Sequence, residues 1–186
     1  SQEGTDADWN PYRRIAADDL WLCEGQLHRV DRISGIMCTD AVVPKAKVII
    51  YADCDGTPGE KIAEASAVRS VDDGLQGNVV ITETGGMTAN GFRIIEVKAE
   101  FDKVWLTGGA YWVSFVGFSG TGAWQDQFFW GTSGNGTIKG RPGLFHDSDA
   151  GGGWVSSDDL CCGCTDYNFC LIGESCKILL DNGQPD

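Results

Sequence analysis

Residues 109–118 read GAYWVSFVGF, and in this stretch the odd and the even positions are both largely apolar. A strand that faces solvent on one side alternates apolar with polar residues, whereas a strand that is covered on both faces is apolar throughout. The stretch therefore predicts a central strand in the middle of the core.

Residues 45–53, KAKVIIYAD, alternate with a period of two, which predicts a half-buried strand. The Asp-Gly and Pro-Gly pairs that follow within residues 53–59 are typical of consecutive turns. In residues 26–38 the apolar positions are spaced by three, which a helix would also permit. Gly35 and the β-branched residues of that stretch favour a strand with a bulge instead.

Other short strands are separated by turns rich in Gly, Asn and Asp, and no amphipathic run has the length of a helix. The pattern predicts an all-β fold, a β-sandwich of jelly-roll type that is stabilised by disulfides. We expect residues 1–13 to form an extended N-terminal arm, 14–176 the sandwich and 177–186 a C-terminal strand or tail that a neighbouring subunit can accept. The further strands are predicted at residues 15–23, 61–68, 78–82, 92–97, 104–106, 123–131, 143–145, 153–155 and 167–172.

The composition fits one domain of 186 residues and excludes two classes of partner. Fourteen basic and twenty-seven acidic residues give a formal charge of -13, which repels phosphate backbones, so we predict no nucleic-acid binding. No apolar run approaches the length of about 18 residues that spans a bilayer, so we predict a chain that is not membrane-embedded. The sequence begins at Ser1 without a signal-peptide pattern, and we expect a mature chain after export.

Eight cysteines occur without the repeated pairs and histidines of a zinc finger, which favours disulfides and a secreted, extracellular protein. Residues 161–164 could instead hold a soft metal, but nothing else indicates a reducing compartment. Two pairings suggest themselves from spacing, Cys170 with Cys176 and Cys23 with Cys38. The disulfide candidates are Cys23, Cys38, Cys54, Cys161, Cys162, Cys164, Cys170 and Cys176.

Three motifs occur in a familiar order: ADDL at residues 17–20, IYAD at 50–53 with GTPG at 56–59, and GAYWVS at 109–114. In this order the chain resembles a loose set of exported bacterial β-sandwich modules, and the match covers about residues 15–172. The resemblance implies a fold and no activity, so no catalytic residues come with it.

One departure from those modules concerns the tail. In the modules a strand resembling Leu-Tyr-Asp-Asn-Gly commonly precedes the Ala-Asp-Asp strand, whereas here the nearest match, LLDNG, lies at residues 179–183. The chain looks circularly shifted, and placing the tail before Ser1 would restore the order within one chain or between successive chains. The predicted assembly strand therefore consists of Ile178, Leu179, Leu180, Asp181 and Asn182.

Signals of catalysis are poor. His28 and His146 are the only histidines, and neither a His-Glu-x-x-His motif nor a nucleophile elbow is present, so we predict that the protein is not an enzyme. Asp53 and Asp55 could supply the oxygen ligands that calcium prefers, although a solvated acidic turn is the more frequent explanation. We predict no other cofactor. The sequon at Asn135 is most simply a turn.

Trp124, Phe128 and Trp130 share one face of a predicted strand and could stack on sugar rings. A buried strand gives the same alternation, and the core is the more frequent place for such residues. Better candidates for exposure lie in less regular stretches, namely Trp9, Trp105 and Trp154.

Two functions follow from these features. The favoured one is a non-catalytic, secreted structural subunit that self-assembles into an extracellular fibre or surface layer by terminal-strand donation, and thus a homo-oligomer or homopolymer. The alternative is a secreted module that binds carbohydrate or another surface ligand through exposed aromatic residues. The detached tail and the cysteines before it favour assembly, whereas the core already explains the aromatic residues.

Overall fold

The computed structural model describes residues 14–40, 43, 45–70, 74–118, 128–130, 143–147, 153–156 and 169–177. Ten β-strands hold almost all of these residues, and none of them is helical. This part of the chain accordingly contains no helix that is long and apolar enough to cross a membrane. The strands are β1 (Arg14–Thr39), β2 (Lys45–Cys54), β3 (Thr57–Ser70), β4 (Gly74–Gly77), β5 (Val79–Met87), β6 (Arg93–Phe118), β7 (Phe128–Trp130), β8 (Leu144–Asp147), β9 (Trp154–Ser156) and β10 (Phe169–Lys177).

The strands join into one curled antiparallel sheet with β6 at its centre. One side of β6 pairs with β1, and the other side pairs with β5 and then with β2. The side of β1 that faces away from β6 pairs with three strands, which follow one another along β1 in the order β8, β10 and β7. Strands β3 and β4 extend the sheet beyond β2, and β9 extends it beyond β8.

The register of the two long strands changes at one place, which we call the corner: residues 23–26 of β1 and Gly108 of β6. Leu22 pairs with Gly109 and Leu27 with Thr107, so the four residues of β1 face a single residue of β6. A bulge of this kind bends the strand that carries it. A Cβ atom at Gly108 would lie 2.2 Å from the carbonyl oxygen of Cys23, so the two backbones approach as closely as only glycine permits.

The core is built mainly from β1, β2 and β6. Trp112, Val113 and Ser114 are fully buried, which confirms that residues 109–118 form a central strand with both faces covered. Strand β2 is more buried than its alternation predicts, because it lies between β3 and β6. Even Lys47 is only 4% exposed, and its Nζ pairs with Glu64 at 3.2 Å. Fully buried apolar residues of the core include Val30, Ile33, Ala46, Val48, Ile50, Val97, Ala99 and Val113.

The all-β class is confirmed, but several predicted strand boundaries are wrong. Residues 15–23 and 26–38 belong to one strand, β1, and the bulge predicted within 26–38 lies at Asp31. Residues 104–106, predicted as a separate edge piece, lie inside β6 and pair with β1. Some residues whose sequence resembles a turn form bulges inside a strand. Lys103 of β6 is an example, with a φ of +57°. The predicted arm, 1–13, and residues 178–186 of the tail lie outside the described residues.

The corner gives a stability prediction. Replacing Gly108 with Ala should lower the free energy of unfolding by about 2 kcal/mol or more, because the new Cβ meets backbone atoms and not the end of a flexible side chain. The melting temperature should fall by roughly 5 °C or more. The matched control is Gly86→Ala, whose Cβ would approach side-chain atoms and not backbone, namely Cδ1 of Ile94 at 3.3 Å and Oγ1 of Thr84 at 3.4 Å. Equal melting temperatures for the two variants would contradict the close approach at the corner.

Candidate functional site

The candidate site is an edge of β1. On the side of β1 that faces away from β6, the ladder with β8 covers residues 14–17 and the ladder with β10 covers residues 26–35. Between the two ladders lie residues 18–25, which we call the edge segment. The other side of this segment pairs with β6 from Asp18 to Leu22.

Strand β10 points towards the edge segment. It runs antiparallel to β1, begins with Phe169 opposite Gly35 and ends with Lys177 opposite Gln26. An extension of β10 in the same register would therefore pass Gly25 and continue towards Asp18. The predicted assembly strand, 178–182, lies outside the described residues, but the structure defines the place and direction from which it starts.

Two buried carboxylates lie at the start of the edge segment. Asp18 is 3% and Asp19 7% exposed, and burial of an ionised carboxylate is costly unless it is hydrogen-bonded. The amide of Asp19 donates to Oδ1 of Asp18 at 3.0 Å, and Nε1 of Trp21 donates to Oδ2 of Asp19. The Trp21 indole is 56% exposed. The edge segment thus presents a large aromatic side chain whose polar end is fixed.

The calcium candidates lie in the turn between β2 and β3, where Asp53 has a structural role. Its Oδ1 accepts a hydrogen bond from Nε1 of Trp112 at 2.8 Å, and its Oδ2 accepts one from the amide of Gly56 at 3.3 Å. Asp55 is exposed, with a φ of +51°. No group of three or more potential metal ligands occurs among the described residues. Asp53 is thus held by hydrogen bonds within the protein, Asp55 faces solvent, and calcium binding stays a prediction.

No disulfide links the cysteines whose side chains the structure describes, and disulfide formation stays a prediction. Cys23, Cys54 and Cys170 are exposed, and Cys38 is partly buried. Burial raises the pKa of the Cys38 thiol, which keeps it protonated and less reactive. Of the other candidates, Cys161, Cys162 and Cys164 lie outside the described residues, as does the side chain of Cys176.

One of the two pairings suggested by spacing, that of Cys170 with Cys176, is wrong. Cys170 and Cys176 lie along one strand, β10, opposite Ser34 and Leu27 of β1. At about 3.3 Å per residue their Cα atoms are about 20 Å apart, whereas a disulfide needs less than about 7 Å. Cys23 lies at the corner of β1 and Cys38 beyond it, and their pairing stays a prediction.

The proposed aromatic platform is not supported at Trp130. This residue is 7% exposed, and its ring centroid lies 4.8 Å from that of Phe115 and 6.0 Å from that of Phe169, so it belongs to the core. Phe128 lies on β7, but its side chain is not among those described, and Trp124 lies outside the described residues.

The exposed indoles lie elsewhere. Trp105 is 44% exposed, which confirms the prediction from its irregular surroundings, and Trp154 is partly exposed. Trp9 lies outside the described residues. Sequence reasoning missed the exposure of Trp21, because the strand that contains it alternates as a half-buried strand would.

The two histidines have packing roles. Nε2 of His28 lies 3.2 Å from the carbonyl oxygen of Cys23, across the corner. The ring of His146, on β8, meets the ring of Trp154 edge-on at a centroid distance of 5.3 Å. The absence of catalysis stays a prediction.

Sequence reasoning also missed a row of residues across three strands. Trp105 of β6 pairs with Arg29 of β1, and Arg29 pairs with Glu174 of β10. These residues are far apart in the chain, and their juxtaposition depends on the register of three strands. The only signal in the sequence was the tryptophan in an irregular stretch.

The turn at Asp53 gives a second prediction. Asp53→Ala should lower the free energy of unfolding by about 1–3 kcal/mol, because it leaves the buried indole N–H of Trp112 without its acceptor. The melting temperature of Asp53→Ala should fall by the same amount whether calcium or a chelator is present. Asp55→Asn is the control, since asparagine tolerates a positive φ and the site is exposed. A calcium-dependent rise in melting temperature that either variant abolishes would instead assign the turn to the ion.

A third prediction concerns the cysteines. Reductant should lower the melting temperature sharply, because each disulfide contributes about 2–4 kcal/mol. Non-reducing peptide mapping should contain no Cys170–Cys176 linkage. If reductant changes neither the melting temperature nor the mass, the cysteines are free and the argument for export fails.

Comparison of the chain with protein-family models, with curated proteins and with solved structures gives no match. No family is thereby assigned, and function has to be argued from the geometry of the edge segment and of β10.

Proposed function

We propose that the chain is a non-catalytic, secreted structural subunit that self-assembles into an extracellular fibre or surface layer by strand donation. In this proposal residues 178–182 leave their own chain and pair with the edge segment of a second copy. The observation that carries the proposal is the end of β10, where Lys177 lies opposite Gln26 and the strand points along β1. Strand addition of this kind joins two chains through main-chain hydrogen bonds.

The corner favours donation to a second copy over pairing within one chain. Both long strands use glycine at the corner, where φ is +68° at Gly25 and +149° at Gly109. A tail that followed β1 around the corner would also need a residue that can adopt a positive φ. Residues 178–181 are Ile-Leu-Leu-Asp, and the first glycine is Gly183. Leucine and isoleucine at positive φ are strained. We infer that the tail passes the corner in an extended conformation and meets another subunit.

Burial of the donated side chains supplies the driving force. Ile178, Leu179 and Leu180 are worth roughly 1.5–3 kcal/mol each when fully buried. Ordering the tail costs roughly 1–2 kcal/mol per residue, which offsets much of this gain. Assembly should accordingly depend on protein concentration and should show a threshold.

We further propose that the curled sheet closes as a disulfide-stabilised β-sandwich of jelly-roll type. Strands β1 and β6 each contribute residues on both sides of the corner, and one buried cluster combines Val48 and Val113 from one side with Ile33 and Val97 from the other. The eight cysteines support an oxidising, extracellular location.

Removal of residues 178–186 tests the proposed function. The full chain should form long particles in negative-stain microscopy and large species in light scattering above a threshold concentration, whereas the truncated chain should stay a monomer with an unchanged β-sheet circular dichroism spectrum. A synthetic peptide of residues 177–186 should bind the truncated chain and should cap growing particles of the full chain.

Point variants control for misfolding of the truncated chain. Leu179→Asp should block assembly, because a charge would enter the acceptor core, whereas Gln184→Ala beyond the strand should assemble normally. Assembly of the truncated chain, or a full chain that stays monomeric at high concentration, would show that the tail serves its own sheet.

A further inference from the structure

An exposed aromatic side chain, Trp105, lies on the solvent-facing side of the sheet. This indole is 44% exposed, although Leu106 beside it is only 3% exposed and belongs to the core. The row Trp105, Arg29 and Glu174 crosses β6, β1 and β10 at right angles to the strands. Residues that pair directly across a sheet project from the same face, so the three side chains are neighbours.

Arg29 holds the indole in place. Its guanidinium carbon lies 5.9 Å from the centroid of the Trp105 ring. Nε and Nη2 of Arg29 donate to the two carboxylate oxygens of Asp31 at 2.7 and 3.0 Å, and Nη1 lies 3.2 Å from Oε2 of Glu174. The hydrogen bond from Arg29 lowers the pKa of Asp31, so this carboxylate is ionised at neutral pH. Arg29 is thus held by Asp31 and Glu174, and its contact with Trp105 orients the indole ring.

A bulge beside the row contributes to this arrangement. Val30 pairs with Val104 and Arg32 with Glu100, so residues 101–103 of β6 face Asp31 alone. Lys103 in this bulge adopts a φ of +57°, which is unfavourable for a residue other than glycine. Bulges occur frequently next to binding sites, where they re-aim side chains. Here the bulge lies directly before Val104 and Trp105.

We propose that Trp105 is a stacking platform for a sugar ring of a neutral polysaccharide, with Asp31 and Glu174 as acceptors for the sugar hydroxyls. The C–H groups of a pyranose pack on an indole face, and each carboxylate oxygen has lone pairs beyond those that Arg29 uses. The formal charge of -13 disfavours a polyanionic ligand.

The surroundings favour a sugar over a second protein surface. The face around Trp105 carries ion pairs, such as that between Arg32 and Glu100 at 3.2 Å. The buried centres of protein interfaces are poor in charge. The platform also projects from the face of the sheet, whereas strand donation uses backbone groups at an edge. The inference consequently does not depend on the proposed function.

Fluorescence titration of the full chain tests the platform in any state of assembly. Neutral oligosaccharides of glucose, xylose and mannose are the probes, and an oligogalacturonate is the anionic comparison. At least one neutral probe should change the indole emission, and Trp105→Ala should weaken its affinity about tenfold or more. Ile172→Ala is the matched control, because it removes an apolar side chain that is 46% exposed next to Glu174 on the same face of β10. The Ile172→Ala variant should bind the same probe with the affinity of the unmodified chain.

Oxidation of exposed indoles by N-bromosuccinimide gives a second measurement that needs no variant. The bound neutral probe should protect Trp105 in peptide mass spectrometry and leave Trp21, the more exposed indole, as reactive as before. The platform is overturned if no neutral probe binds, if only the oligogalacturonate binds, if Trp105→Ala binds as well as Ile172→Ala, or if Trp105 is not protected.

Discussion

The pairing between β1 and β6 is the interaction on which the rest of the structure depends. Among the described strands, five further ladders attach directly to β1 or β6. The two strands stay paired from Asp18 to Thr39 of β1, apart from the bulges. They stay paired through the corner because Gly108 lets the backbone of β6 approach that of Cys23. A side chain at this position would separate the strands where the sheet changes direction. The corner therefore determines both the curl of the sheet and the direction in which β10 ends.

The three sequence motifs meet in one row next to this pairing. Asp19 of β1 pairs with Trp112 of β6, and Trp112 pairs with Tyr51 of β2. Asp53, at the end of the second motif, accepts the hydrogen bond of the Trp112 indole. A buried indole N–H needs an acceptor, and a buried carboxylate needs donors, so these polar groups stabilise one another only in the correct register. The motifs consequently specify strand order, which explains why they carry information about fold and none about activity.

The sequence predicts the class of the fold and the centre of the sheet, because alternation and apolar runs report directly on burial. It does not predict the length of the strands. Asp102-Lys103 and Gly108-Gly109 resemble turns, yet hydrogen bonds to β1 on both sides of each pair keep β6 continuous and absorb them as bulges. Nor does it predict the row at Trp105, because the partners of this residue are set by the register of three strands. What distinguishes the tail is that the LLDNG motif follows the other motifs in the chain, and no local pattern contains this information.

A polymer formed by strand donation would repeat the Trp105 surface at every subunit. One indole that stacks on one sugar ring binds weakly, and its exposed carboxylate neighbours add little in water. Subunits in a fibre hold such sites at fixed spacings, and a polysaccharide that contacts several of them gains effective concentration without any new contact. The two proposed activities would be compatible, since donation would use backbone groups of the edge segment and sugar binding would use the exposed side chain of Trp105 on β6. Weak binding at a single Trp105 would then be sufficient for firm attachment of the assembled material.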